Sequence, residues 1–366
     1  MLVRWIAALV AFLIIAVVGI IGIGNFATGI DPDSFFDAEG ANSFALIGAI
    51  GLVVAFLAYA AVEFIQTRSL ASISSQFDTR TLVLMPIAIA INIILGATVA
   101  NALKLPIYLD SIGTILVGAL AGPIPGALTG ALANLLWTYV LPPPFQNGPA
   151  AAFAIVAAII GVVAGLVGRA GWLRPRPNRA LGQLGVGAAV TVAIVLGMAY
   201  LAYLGWTSPA FGGEVDLGVG GSDAVFTVLG WLVLLLVAAT VVGLLALLFV
   251  RRDLTAAYVV VAGLGTGIIA ALISAPISAN VFGGVTGGGT DFLVAAFRQA
   301  GADIGAATLG QGLISDPVDK ITTFFVVYLV LTAMARRTKA RFPQGERLLE
   351  AGEPATDEGE WRGAPA

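Results

Sequence analysis

Residues 105–137 read LPIYLDSIGTILVGALAGPIPGALTGALANLLW and decide the fold of this chain. They contain two apolar runs, 107–121 and 124–140, and both are shorter than the roughly 20 residues of a typical membrane-spanning helix. The residues GPIPG separate the runs, and Gly and Pro break a helix there. The stretch therefore predicts either two tilted spans or a hairpin that never crosses fully. One carboxylate, that of Asp110, lies where the first run begins.

The rest of the composition agrees with a membrane environment. Hydrophobic residues make up 59% of the 366 residues and charged residues 11%, against roughly 25% charged residues in soluble domains. Apolar runs long enough to be membrane helices cover 4–24, 43–65, 82–101, 107–121, 124–140, 149–168, 184–205, 224–250, 255–276 and 318–335. We predict an all-α membrane protein with about ten transmembrane helices in the lipid bilayer.

Several kinds of chemistry are excluded by composition. The chain has no Cys and no His, which removes thiol nucleophiles, imidazole bases and the usual zinc ligands. Its net charge of −3 gives no electrostatic drive toward nucleic acid. We expect no enzyme activity, catalytic residue, cofactor or metal.

The basic residues predict the orientation, since Lys and Arg concentrate on the cytoplasmic side. An inward N-terminus places 15 of the 18 Lys and Arg residues in cytoplasmic segments. Both termini are therefore expected in the cytoplasm, with the chain crossing the cell membrane. The polar tail 337–366 is expected to be disordered.

A second group of charges occurs in residues 312–331, GLISDPVDKITTFFVVYLVL. Asp316 followed by proline is typical of a helix N-cap, with Asp319 in the first turn, and Asp110 is a possible N-cap of the helix after it. Lys320 opposes the dipole of such a helix, so we expect it to pair with Asp316 or to bind a solute. We favour solute contact over a purely structural role for Lys320.

Both charged sites, Asp110 and the group at 316–320, are predicted to lie on the same, outer side of the membrane. There they join a long segment, 280–317, which is longer than an ordinary connection and is expected to be functional or lid-like. Gly118, Gly122, Gly126 and Gly130 recur every four residues, a spacing typical of close helix packing.

Three segments together resemble the substrate-binding S components of energy-coupling factor (ECF) transporters. They are 105–137, then SAPISANVFGGVTGGGTDFLVAAF at 274–297, then QGLISDPVDKITTFFVVYLVL at 311–331. The resemblance implies a six-helix unit formed by 81–170 and 254–336, with a pocket near the outer face roofed by outer loops. An N-terminal helix pair with its linker, 1–80, and an inserted hairpin, 171–253, are additions to that pattern.

The resemblance also implies a function and a set of residues. Such proteins capture a vitamin or related solute and work with a transmembrane coupling subunit and two ATPases. Gly96 and Ala100 have the small-residue spacing expected for docking on the coupling subunit. A stand-alone secondary transporter and a membrane ligand sensor without transport remain alternatives. The candidate substrate-binding residues are Lys104, Tyr108, Asp110, Asn134, Trp137, Asn280, Thr286, Asp291, Asp319 and Lys320.

Overall fold

The computed structural model describes residues 2–23, 38–102, 107–143, 145–179, 181–207 and 224–350, and these ranges contain helices and no β-strand. Each of the ten predicted apolar runs contains a helix. The helices are α1 (Leu2–Ile23), α2 (Ala38–Thr67), α3 (Ala71–Ser74), α4 (Thr79–Gly96), α5 (Ile112–Ala121), α6 (Pro123–Tyr139), α7 (Ala154–Arg169), α8 (Leu181–Thr207), α9 (Ala224–Phe249), α10 (Thr255–Phe282), α11 (Asp291–Gln299), α12 (Ile304–Ala333) and α13 (Arg336–Ala340). A π-helical turn, Ala97–Ala102, continues α4, and a 3-10 turn, Gly148–Phe153, precedes α7.

The chain is an all-α membrane protein. Within the described ranges, five helical segments are long and apolar enough to cross a bilayer: Leu2–Gly22, Gly40–Thr67, Thr79–Ala100, Gly148–Arg169 and Thr255–Phe282. Many large apolar side chains on them are exposed to the surroundings, as lipid-facing residues are. The total of ten spans stays a prediction.

Helices α4, α5, α6, α7, α10 and α12 pack together as one bundle. In α5, α6 and α7 the backbones approach closely at glycines: a Cβ added at Gly126 would collide with the carbonyl group of Gly161, and one at Gly130 with that of Ala157. The predicted close packing of this glycine series is confirmed. Gly122 has a different role, since its φ of 132° allows the sharp turn from α5 to α6.

Helix α5 is shorter, and helix α12 longer, than the apolar runs that predicted them. Helix α5 has 10 residues, about 15 Å, and is too short to cross a hydrocarbon core of about 30 Å. Helix α12 has 30 residues, about 45 Å, and starts at the N-cap Asp303. The long connection therefore shrinks to residues 283–303, and α11 occupies part of it.

The early start of α12 corrects the predicted cap. Asp316 and Asp319 lie inside the helix rather than in its first turn, and Pro317 is an internal proline. Asp316 is 13 residues from the cap, about 20 Å along the helix. The charged group is therefore deep in the bundle.

The remaining elements pack around this bundle. Helices α1 and α2 pair with each other, and α8 and α9 lie against α10 and α12. The disorder predicted for 337–366 is wrong for residues 337–350, which include most of α13 and a 3-10 turn, Gly345–Leu348, in which Leu348 is fully buried. Gln344 N–H in this segment donates a hydrogen bond to the carbonyl oxygen of Leu120. The rest of the predicted tail, 351–366, lies outside the described residues.

The connections divide between two ends of the bundle. Segments 107–111, 140–153 and 283–303 form what we call the cavity end. Segments 68–78, 170–179, 250–254 and 334–350 form the arginine-rich end, where Arg347 donates to the carbonyl oxygen of Arg169. Which end faces the cytoplasm stays a prediction from the charge bias.

Candidate functional site

A cavity of about 120 Å³ opens at the cavity end between α6, α7, α10 and α12 and the segment 108–111 that precedes α5. Its apolar walls come mainly from α7 and its polar side chains from the other elements. The polar and aromatic side chains that line it are Tyr108, Asp110, Ser111, Asn134, Trp137, Asn147, Phe153, Ser274, Ser278, Thr286, Gln311, Asp316 and Lys320. A concave site with a few polar groups among apolar ones is typical of small-molecule binding.

Lys320 is the cation of this cavity, and its ammonium is held by a buried carboxylate. Its Nζ donates to Oδ2 of Asp319 at 2.5 Å and to Oγ of Ser111 at 2.8 Å, and it lies 3.7 Å from Oδ1 of Asp110. The expected partner Asp316 is not among the carboxylates within 4 Å of Lys320 in the described residues. That expectation was wrong, because Asp319 rather than Asp316 is fixed beside the ammonium.

Asp319 has no exposed surface and does not line the cavity. Its Oδ1 accepts hydrogen bonds from the backbone N–H groups of Leu109 at 2.7 Å and Tyr108 at 3.2 Å. Leu109 has a φ of 52°, a conformation unfavourable for a residue with a branched side chain. The carboxylate therefore holds a strained turn that carries Tyr108 and Asp110 to the cavity.

Asp110 itself does not cap α5. The N-cap position is taken by Ser111, without a side-chain cap hydrogen bond, and Asp110 is 27% exposed beside the cavity. The capping explanation of Asp110 is thus wrong.

A glycine-rich segment, Val285–Thr290, covers the cavity, and we call it the roof. Gly289 N–H donates to the carbonyl oxygen of Ala100, and the hydroxyls of Tyr108 and Thr290 are 2.6 Å apart. Thr286 and Gly288 face the cavity from this segment.

Asp291 shapes the roof instead of lining the cavity. Its carboxylate accepts from the N–H and hydroxyl of Thr286 and, at 2.8 Å, from the N–H of Gly287. These bonds fold the segment back on the first turn of α11. Asp291 is therefore a positioning residue for the roof.

The opposite wall carries an aromatic ring and an amide. Trp137 is buried, and its indole N–H donates to the carbonyl oxygen of Phe145 at 2.9 Å, which fixes the ring. Asn134, one turn earlier on α6, is 8% exposed, and in the described residues its amide has no protein hydrogen bond. This leaves an amide donor and acceptor available to a bound molecule.

The structure places the predicted residues in three groups. Six of them line the cavity: Tyr108, Asp110, Asn134, Trp137, Thr286 and Lys320. Asp319 and Asp291 support the cavity from behind, and Lys104 lies outside the described residues. Asn280 is exposed and donates to the carbonyl oxygen of Pro276 in its own helix, so the prediction that it contacts solute is wrong.

The two predicted docking residues are not on a free surface. A Cβ on Gly96 would collide with the ring of Trp137, and Ala100 is 2% exposed under the roof. Their small size makes room for Trp137 and for the roof segment. The docking prediction at Gly96 and Ala100 is therefore wrong.

Several lining residues escaped sequence analysis. Ser274 and Ser278 are one turn apart on α10, a spacing that indicates a common face but that apolar helices with scattered serines often show. Gln311 was missed because it precedes the predicted start of the last helix, and Asp316 because it was interpreted as a cap.

Comparison with protein-family models, with curated proteins and with solved structures finds no match for this chain. Fold and cavity together define a multi-pass helical membrane protein with a polar, aromatic-lined cavity inside its helix bundle.

Proposed function

We propose that this protein is a membrane-embedded solute-binding protein that serves the uptake of a vitamin or related small molecule. The observation that carries the proposal is the cavity. Four helices, α6, α7, α10 and α12, line it, and the roof Val285–Thr290 covers it. The fixed ring of Trp137 and the amide of Asn134, which has no protein hydrogen bond among the described residues, face it. Buried polar groups without protein partners are costly, so a site that retains them is suited to a polar ligand.

We further propose that the protein acts as the S component of an ECF-type transporter. All three segments that carry the resemblance contribute to the cavity, with Trp137 from the first, Thr286 from the second and Lys320 from the third. Among the residues whose side chains are described, none from α1, α2, α8 or α9 lines it. This division supports a six-helix binding unit with added helices.

The proposed partners are a transmembrane coupling subunit and two ATPases. Gly96 and Ala100 are buried, so docking requires another face. The exposed face of α4 offers Leu82, Val83, Ile87 and Ile94. Affinity purification of the tagged protein from its native membrane should recover an ATPase and a coupling subunit. Replacing Ile87 and Ile94 with Trp should reduce their recovery without reducing the amount of folded bait.

The depth of Asp316, Asp319 and Lys320 in the bundle favours one second candidate, a stand-alone secondary transporter. Such transporters bind solute near the bilayer midplane, and ionisable residues there often couple transport to ions. Purified protein in liposomes decides between the two: solute uptake driven by an ion gradient without ATPases supports the secondary transporter.

Solute binding is tested by native mass spectrometry of the purified protein, where a small molecule should co-purify. Asn134→Leu removes the amide from the cavity and should abolish the adduct. Asn280→Leu is the matched control, because Asn280 is outside the cavity and its loss should leave the adduct intact. An adduct of equal intensity in Asn134→Leu and the parent contradicts the proposed site.

A further inference from the structure

The cavity carries more negative than positive charge. In the part of the chain that the structure describes, Asp110, Asp316 and Lys320 line the cavity and Asp319 lies directly behind Lys320, for a formal charge of −2. These carboxylates do not form a group that could hold a metal ion among the described residues.

The ammonium of Lys320 already has hydrogen-bond partners within the protein. Asp319 accepts from Lys320 at 2.5 Å and is itself fully buried, so the two form a neutral unit beside the cavity. A second N–H of the ammonium donates a hydrogen bond to the hydroxyl oxygen of Ser111. An anionic solute would have to compete with a carboxylate in hydrogen-bond contact, which makes Lys320 a poor anion site.

Two carboxylates remain on the cavity surface. Asp316 is 6% exposed, and its side chain has one long hydrogen bond, 3.4 Å from the hydroxyl of Ser315. Asp110 is 27% exposed and forms a long ion pair with Lys320, whose ammonium is 3.7 Å from its Oδ1. Both carboxylates are therefore only weakly partnered within the protein, and ionisable residues inside a membrane protein usually pair closely with another charge or bind a substrate or ion.

The aromatic walls suit the same kind of partner. Trp137, Phe153 and Tyr108 line the cavity, and a cation near the face of an aromatic ring is attracted by its quadrupole. The unpaired amide of Asn134 adds a neutral hydrogen-bonding group.

We infer that the cavity selects a small organic cation, such as a charged nitrogen heterocycle, over neutral and anionic molecules of the same shape. The inference rests on the proposed solute-binding function. Asp316 and Asp110 would supply the negative charge, and Trp137 and Asn134 would contact the ring and its polar substituent.

The test uses three probes built on one ring: 1-methylnicotinamide as cation, nicotinamide as neutral molecule and nicotinate as anion. Each is added at equal concentration to the purified full-length protein, and its dissociation constant and effect on the melting temperature are measured. The cation should stabilise the protein most. Asp316→Asn should weaken cation binding about tenfold or more, as loss of a charged contact does.

Asp303→Asn is the matched control, since this aspartate is on the same helix but exposed at its N-cap, a position that Asn also suits. It should leave cation binding unchanged. Tighter binding of nicotinate or nicotinamide overturns the charge selectivity while leaving solute binding intact. Absence of stabilisation by the cation also overturns the inference. The proposed solute-binding function is tested separately, by the search for a co-purified adduct in native mass spectrometry.

Discussion

Replacing Lys320 with methionine should destabilise the empty protein strongly. Methionine keeps the length of the side chain but leaves the Asp319 carboxylate fully buried, with two backbone N–H donors and no cation. Removing one partner of a buried ion pair costs about 3–5 kcal/mol, a decrease of about 100- to 5,000-fold in the folding equilibrium constant. The sequence alone had favoured a solute contact for Lys320, whereas the ion pair makes it a structural cation as well.

A double-mutant cycle isolates the pair. Asp319→Asn keeps an oxygen that can accept from Tyr108 and Leu109 but removes the charge, so Lys320→Met/Asp319→Asn should regain most of the stability that Lys320→Met loses. The free energy of unfolding is measured by detergent-induced unfolding in mixed micelles.

The surface variant Arg298→Met is the control for the loss of a positive charge, because Arg298 is exposed at the cavity end. It should change stability by less than about 0.5 kcal/mol. A Lys320→Met protein as stable as the parent, or a double variant no more stable than Lys320→Met, would refute the reasoning.

Two further variants test packing and the roof. Gly161→Ala should lower the free energy of unfolding by about 1–3 kcal/mol, because the added methyl meets the backbone of α6. Gly265→Ala is the control: it has open space around it, so its effect should be neutral or a gain of up to about 1 kcal/mol from helix propensity. Equal effects of the two substitutions would contradict the close packing. Asp291→Asn should raise the rate of amide hydrogen exchange at Gly287 by about tenfold or more, because it replaces the charged acceptor of that N–H by a neutral one. Asp303→Asn is the control and should leave this rate unchanged. An unchanged rate in Asp291→Asn would show that other contacts hold the roof.

The helices could be predicted from the sequence because hydrophobicity is a local property. Each apolar run contains a helix, and the glycine series indicated close packing that the collisions at Gly126 and Gly130 confirm. The membrane class and the approximate position of the cavity followed from the same information. Six of ten predicted binding residues line the cavity.

The start of α12 could not be predicted, because its first half is rich in glycine and polar residues and Pro317 is typical of a helix start. An internal proline removes a backbone hydrogen bond, and transmembrane helices tolerate it when neighbours compensate. Here the backbone of Pro317 lies close to Gly267 of α10. That contact depends on tertiary packing.

The ion-pair partner of Lys320 could not be predicted from the sequence for a related reason. Neighbouring residues on a helix do not face each other, so Asp316, one turn away, was the expected partner. Asp319 is available instead because the backbone of Tyr108 and Leu109, more than 200 residues away in the chain, fixes its carboxylate. Sequence spacing carries no information about such a contact.

The backbone contacts among α5, α6 and α7 limit which parts of the cavity wall can move apart. Gly126 and Gly161 leave no space between α6 and α7, so these helices cannot slide or separate without losing contact along their length. The roof, in contrast, meets the far wall through the Gly289 to Ala100 hydrogen bond and the Tyr108 to Thr290 contact, each worth about 0.5–1.5 kcal/mol. Opening the roof therefore costs less free energy than separating these helices, and the proposed solute would enter the cavity beneath the roof.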